Sequence, residues 1–330
     1  MILAGDVGGT NTRLGLFELA RNRPKLVTIE IFPSRKYQRL EDIMEEFLTK
    51  NSLPITAACV GIAGPIKDGV CETPNLPWIA DSKKLGEVLG LHRVELINDL
   101  EANAHGISVL AKDDLVLLNP GQPDPNGNAG LISAGTGLGE AGLHWVGEYY
   151  QPFASEGGHV DFAPRNEIEV ELLSYLIKKL GHVSYERVLS GPGLINIYRF
   201  LAETKRAEEP AWLREEMQKH DPGAVITKAA LEHRAPICEL AHNIFVSIYG
   251  AEAGNLALKV LATGGIFIGG GIAPKILPTL KEPAFLESFW SKGRMTALLK
   301  AVPVHVIVND KTALLGAARV AFFGIRMSRY

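Results

Sequence analysis

The apolar positions of this chain switch between two periods. Short apolar runs bounded by turn residues fall at 2–4, 14–19, 26–32, 57–62 and 94–97, and they predict strands. Between the third and fourth, Leu40, Ile43, Met44, Phe47 and Leu48 recur at helical spacing. The turn-rich "DPNGNAG" at 124–130 marks an entry to new structure, and apolar segments at 131–132 and 141–146 follow it. The remainder is more helical. Ile168, Leu172, Leu173, Leu176, Ile177 and Leu180 form one helix face, closed by Gly181. A long apolar helical pattern runs over 236–261. A glycine-punctuated strand covers 264–271, another strand 304–308, and a closing helix 311–323. Strands alternating with helices predict α/β architecture.

Two glycine turns stand out because strands flank them on both sides: "LAGDVGGTNTRLGL" at 3–16 and "LISAGTGLGEAGL" at 131–143. Neither is a P-loop, since G-x-x-x-x-G-K-[ST] is missing and a strand, not a helix, follows. Without Cβ, glycine lets successive N–H groups approach an anion and form a nest. Thr10 and Thr136 add hydroxyl donors. Asp6, ending the first strand, suits Mg²⁺ or its waters, because Mg²⁺ keeps several waters and takes few carboxylates. Tight hairpins without a ligand are the rival reading. One such hairpin early in each half suggests two domains on related plans, with a cleft between them as the default ligand site.

Composition narrows the classes. A chain of 330 residues, 46 % apolar and 22 % charged, fits two globular domains. A net charge of -3 without a basic stretch argues against nucleic acid as the main partner. Cys59, Cys71 and Cys238 are scattered, which argues for a reducing compartment and against a cysteine-rich zinc site. There is no signal-peptide pattern, and the most apolar run, near 266–272, is too short and glycine-rich for a membrane span. These features describe a soluble cytoplasmic protein.

Six ordered motifs then carry a resemblance along nearly the whole chain: "GDVGGTNTR" at 5–13, "INDLEA" at 97–102, "AGTGLG" at 134–139, "EGGHVDF" at 156–162, "ERVLSGPGL" at 186–194 and "GGIFIGGGIAP" at 264–274. Together they resemble bacterial glucokinases, in the hexokinase-like branch of the fold shared with actin and heat-shock ATPases. The resemblance implies a two-domain actin-like (ribonuclease H-like) α/β fold. The small domain would be 1–109 plus 309–330, the large domain 110–308, and the final helix would pack on the small one. It also implies ATP and Mg²⁺ as cofactors, glucose as substrate, phosphorylation at the 6-hydroxyl, and a homodimer. No structural zinc is expected, because Val160-Asp161-Phe162 follows His159 and no cysteine lies nearby.

For the nucleotide, the resemblance implicates the backbone of Gly5, Asp6, Val7, Gly8, Gly9, Thr10 and Asn11, and of Gly135, Thr136 and Gly137, with Gly270 and Gly271 near adenine and ribose. Ser133, where relatives often carry glycine, departs from the pattern of the second turn. Asp99, just beyond a strand, is the candidate base that accepts the attacking hydroxyl's proton. Its rival role is a helix N-cap. Asn98 would bond a neighbouring sugar hydroxyl. Glu156 and His159 suit hydroxyls near the anomeric end. Glu186 is the family's third acidic contact, and Asn75 in "TPNLPW" is a further candidate, with a turn role as its rival. For each glutamate the alternative is a solvated surface charge. Other functions fit parts of the pattern: a kinase for another hexose or N-acetylhexosamine, a sugar-responsive regulator, or a chaperone-type ATPase. The regulator would need an N-terminal DNA-binding domain, for which the turn at residue 5 leaves no room. "EGGHVDF" argues against the ATPase.

Overall fold

The computed structural model describes residues 1–20, 23–73 and 76–327. The chain divides into two compact units. The first comprises Met1–Lys112, Tyr149–Phe153 and Asn309–Tyr330; the second comprises Asp113–Glu148 and Ala154–Val308.

In the first unit, β1 (Ile2–Val7), β2 (Asn11–Ala20) and β3 (Arg23–Pro33) form an antiparallel meander. β4 (Ala57–Ile62) then pairs parallel to β1. A small separate sheet is made of β5 (Ile66–Lys67), β6 (Val70–Glu72) and β7 (Ile79–Asp81). β8 (Val94–Asn98) closes the main sheet parallel to β4, giving the order β3-β2-β1-β4-β8.

Alternation along β1 explains why both sheet faces are covered. Leu3 and Val7 join a core with Leu14, Leu16, Val60, Ile62 and the Leu40–Lys50 helix residues Ile43, Met44 and Phe47. Ile2 and Ala4 face the other way and join Cys59, Ala102, Leu314, Ala317 and Ala318. The second face is therefore covered by the helices Asp99–Ile107 and Thr312–Met327, from distant parts of the sequence.

The second unit repeats the plan. Its strands are β9 (Leu115–Asn119), β10 (Ala129–Ala134), β11 (Leu138–Trp145), the Ala154–Ser155 end of β12 (Tyr150–Ser155), β13 (Gly265–Gly269) and β14 (Val304–Ile307), in the order β12-β11-β10-β13-β14-β9. As in the first unit, a hairpin leads (β10–β11) and parallel strands follow (β13, β14). The 24-residue helix Pro236–Lys259 is buried around most of its circumference, so its apolar residues show little one-sided pattern. Among the described residues, no helix is long and apolar enough to cross a membrane.

The expected strands and helices appear with shifted ends: the first strand extends to Val7 and the closing helix to Met327, whereas the strand expected over 264–271 is only Gly265–Gly269 and the long helix stops at Lys259. The helices Ser82–Leu89, Ala211–Lys219 and Pro222–Leu231 were not apparent from apolar spacing. The first is fixed by a polar signal instead, Asp81 accepting the Lys83 N–H at 2.8 Å as an N-cap.

Candidate active site

In the first unit, three parallel strands end side by side. The register sets Asp6 beside Gly61 and Ile62 beside Asn98, so Asp6, the first glycine turn and Asn98-Asp99 share one end of the sheet. That end is the carboxyl edge, where ligand groups gather in such sheets. The turn between β1 and β2 is closed by the Gly8 N–H donating to Asn11 O at 3.0 Å. Ser34, fully buried, braces it from outside. Its Oγ–H donates to Gly8 O at 2.7 Å, its N–H donates to Thr10 O at 2.9 Å, and Thr12 Oγ1 lies 3.0 Å from its Oγ.

Asp6 is partly buried, and burial pushes its carboxyl up to about 6. Arg13, its cross-strand neighbour at 3.7 Å, opposes the shift, whereas Asp99 and Asp310 add to it. Arg13 also donates to Asp310 O at 2.6 Å and to Asp310 Oδ2 at 3.2 Å. Burial likewise raises Asp99 above the ordinary aspartate value, while the Leu100 N–H, its own N–H and Asn98 hold it back. The N-cap of Asp99–Ile107 is Asn98, not Asp99: Asn98 Oδ1 accepts the Leu100 N–H at 2.9 Å, and Asn98 Nδ2 donates to Gly64 O at 3.3 Å. Asp99 lies in the first helical turn, where its Oδ1 also accepts from Leu100 N at 3.0 Å. Asn75 lies outside the described residues.

In the second unit, the β10–β11 turn is closed by its own hydrogen bond and met by two further backbone segments. The Gly135 N–H donates to Gly137 O at 2.8 Å, the Gly191 N–H to Gly135 O at 2.8 Å, and the Ile272 N–H to Ala134 O at 3.3 Å. Gly270 sits at φ +82, and a side chain there would collide with Ala134 O. Glu186 is aimed at the same turn: its Oε2 accepts the Leu138 N–H at 3.0 Å. Glu156 precedes and His159 ends the short 3₁₀ turn Gly157–His159, with Glu156 Oε2 4.0 Å from His159 Nε2. The Glu156 side chain is 91 % exposed and His159 60 %, so both are open to a ligand.

The expected residues thus form two constellations. Asp6, the first turn, Asn98 and Asp99 share the first unit, and Gly135–Gly137, Gly270, Gly271, Glu156, His159 and Glu186 share the second. Sequence reasoning gave no role to Arg13, Ser34 or Asp310. Arg13 was legible in principle, because hairpin pairing across "DVGGTNTR" sets it opposite Asp6. Asp310 had no local signal, being 297 residues from Arg13.

Comparison with known proteins gives the family. The family model described as Glucokinase matches residues 3–322. A glucokinase of Nostoc punctiforme is 47 % identical, covering 97 % of this chain and 98 % of that protein. The crystal structure of a glucokinase from an Antarctic psychrotroph superposes with a TM-score of 0.86 at 33 % identity, covering 98 % of both chains. A ROK family glucokinase from Streptomyces griseus, solved in complex with glucose and AMPPNP, shares the fold at a TM-score of 0.65 and 19 % identity, covering 98 % of this chain and 99 % of that one. A hairpin-led sheet in each of two units is the actin-like ATPase fold of the sugar kinases. Within that class, the chain belongs to the glucokinase family.

Proposed function

We propose that the protein transfers the γ-phosphoryl group of ATP to the 6-hydroxyl of D-glucose, yielding glucose 6-phosphate for glycolysis in the cytoplasm. The observation that carries the reading is Asp99, a partly buried carboxylate at the carboxyl edge of the sheet that also bears the Asp6 glycine turn. Asp99 accepts the proton of the attacking hydroxyl and orients its oxygen. Asn98 keeps its Oδ1 on the helix cap, so a sugar hydroxyl would meet its Nδ2 side. Glu156 and His159 hold sugar hydroxyls, and Glu186 has one oxygen on the second turn and the other for the sugar. The N–H groups of each glycine turn suit phosphate oxygens.

The first unit suits Mg²⁺. Asp6 carries a costly charge beside Asp99 and Asp310, which a cation relieves, and it would hold the ion largely through water. A Mg²⁺ held by Asp6 would supply positive charge to offset that of the phosphates. The family resemblance also supports a homodimer, which sedimentation would measure.

The deciding experiment is ADP release with MgATP and a panel of hexoses and N-acetylhexosamines. Glucose should give the highest kcat/KM. A clear preference for another hexose would replace glucose, and ATP turnover indifferent to any sugar would remove the sugar-kinase reading. Asp99→Asn should lower kcat roughly 10²–10⁴-fold, the usual weight of a positioned base, with nucleotide binding kept. Near-normal turnover in that variant would take the base role from Asp99.

A further inference from the structure

A charged residue stands where β11 should be apolar. Glu140 is 1 % exposed, and neither of its carboxyl oxygens receives a hydrogen bond from a donor. Its companion on the helix Pro236–Lys259, Glu252, is 0 % exposed but well supplied. Glu252 Oε1 accepts from Lys259 Nζ at 2.9 Å, and its Oε2 accepts from Asn255 Nδ2 at 2.7 Å. Asn255 Nδ2 also donates to Tyr185 Oη at 3.0 Å, and Lys292 Nζ donates to Asn255 Oδ1 and to Ala251 O. Glu252 thus has the donors an ionised carboxylate needs, and Glu140 has none. A buried carboxyl without donors is satisfied only if it carries a proton and donates it.

The other side of Glu140 faces the turn that bears Glu156 and His159. A side chain on Gly157 would run into Glu140 Oε2, and one on Gly158 would run into Leu138 O. Leu138 and Glu140, two apart on β11, therefore form the floor under Gly157-Gly158. Glycine there lets the turn backbone rest directly on the carboxyl group.

Resting on the sugar-kinase reading, we infer that Glu140 is a positioning residue of the sugar site: as a neutral carboxylic acid it donates its O–H to Glu252 and supports Gly157, fixing the turn that carries Glu156 and His159. The titratable groups around it are Glu252, Lys259 and Tyr249 from the helix, and Glu156 and His159 from the turn. Burial and Glu252 both push Glu140 far above the ordinary glutamate range, and only Lys259 opposes them. Both effects favour the protonated acid that the missing donors already require. Ionising it in alkali sets two buried carboxylates against each other beneath the turn.

The test compares wild type, Glu140→Gln and Glu140→Ala from about pH 6 to about pH 9. Two readouts are taken: kcat with KM for hexose and for ATP, and hydrogen exchange of the Gly157–His159 amides, each rate divided by the intrinsic, base-catalysed rate at the same pH. Wild-type hexose KM should rise about tenfold toward the alkaline end, with ATP KM steady and faster exchange in the turn. Glu140→Gln, neutral at every pH and still a donor to Glu252, should keep the low KM and the slow exchange throughout. Glu140→Ala should show raised hexose KM and fast exchange at every pH, with kcat little changed. An alkaline rise in Glu140→Gln equal to that of wild type overturns the inference, as do wild-type KM and exchange in Glu140→Ala. If Glu140→Ala does not fold, the wild-type and Gln comparison decides. If no hexose is phosphorylated, the sugar-kinase reading has failed, and the exchange comparison still decides whether Glu140 holds the turn.

Discussion

Asp6 is ionised at a cost in the ligand-free protein. Its proton is held more tightly folded, at about 6 against an ordinary 3.8, so its favourable contribution is complete below about pH 4 and lost as pH rises to about 6. The difference amounts to about 3 kcal/mol. Asp6→Asn should therefore unfold at a higher temperature than wild type at neutral pH, with the gain vanishing near pH 4, while kinase activity collapses. A stability difference that does not change with pH would show that the Asp6 charge is not strained. On the proposed role of Asp6, such strain is the usual trade between activity and stability. Arg13 limits the cost without removing it, because Asp310 shares the same guanidinium.

Among elements, the first glycine turn is shaped partly by a residue far outside it. Ser34 supplies a buried O–H and N–H to carbonyls of Gly8 and Thr10. Ser34→Ala leaves Gly8 O and Thr12 Oγ1 without that partner and should cost about 1–3 kcal/mol in denaturant unfolding, together with a raised KM for ATP. An unchanged KM would mean that the turn holds its shape alone. Helix packing gives a second case. The helices Asp99–Ile107 and Thr312–Met327 touch backbone to backbone, and a methyl group on Gly316 would collide with Ala102 O. In an open helix Gly→Ala stabilises by about 1 kcal/mol. Here Gly316→Ala should destabilise by about 1–3 kcal/mol or more, and kcat should fall too, because the displaced helix begins with Asp99. A stabilised Gly316→Ala protein would contradict that packing.

For the molecule as a whole, ligands that bind only the folded chain raise its stability by mass action. Glucose at about a hundred times its Kd should add about 2.7 kcal/mol and shift Tm by a few degrees. Asp99→Asn should keep much of the shift from MgATP while losing turnover, separating binding from chemistry in one calorimetric series. No shift with glucose in the wild type would count against a glucose site. The final helix belongs to the first unit although it is last in the chain. Its Leu314, Ala317 and Ala318 complete the core beneath β1, so removing residues from 309 onward should prevent that unit from folding.

The sequence by itself determined what short-range physics can encode. Apolar runs and helical spacing placed most strands and several of the long helices, and paired Gly-Thr turns marked both candidate phosphate sites. Ordered motifs singled out Asp99, Glu156, His159 and Glu186. What the tertiary structure decided were relations between residues far apart in the chain. It gave the helix cap to Asn98, turned Glu186 toward Leu138 N, set Asp310 on Arg13, and laid Gly157 over Glu140. Local propensity carries no information about such partners. Hydrogen bonding and burial are settled only when strand register and helix packing bring distant groups within about 3 Å, where a carboxyl either finds a donor or keeps its proton.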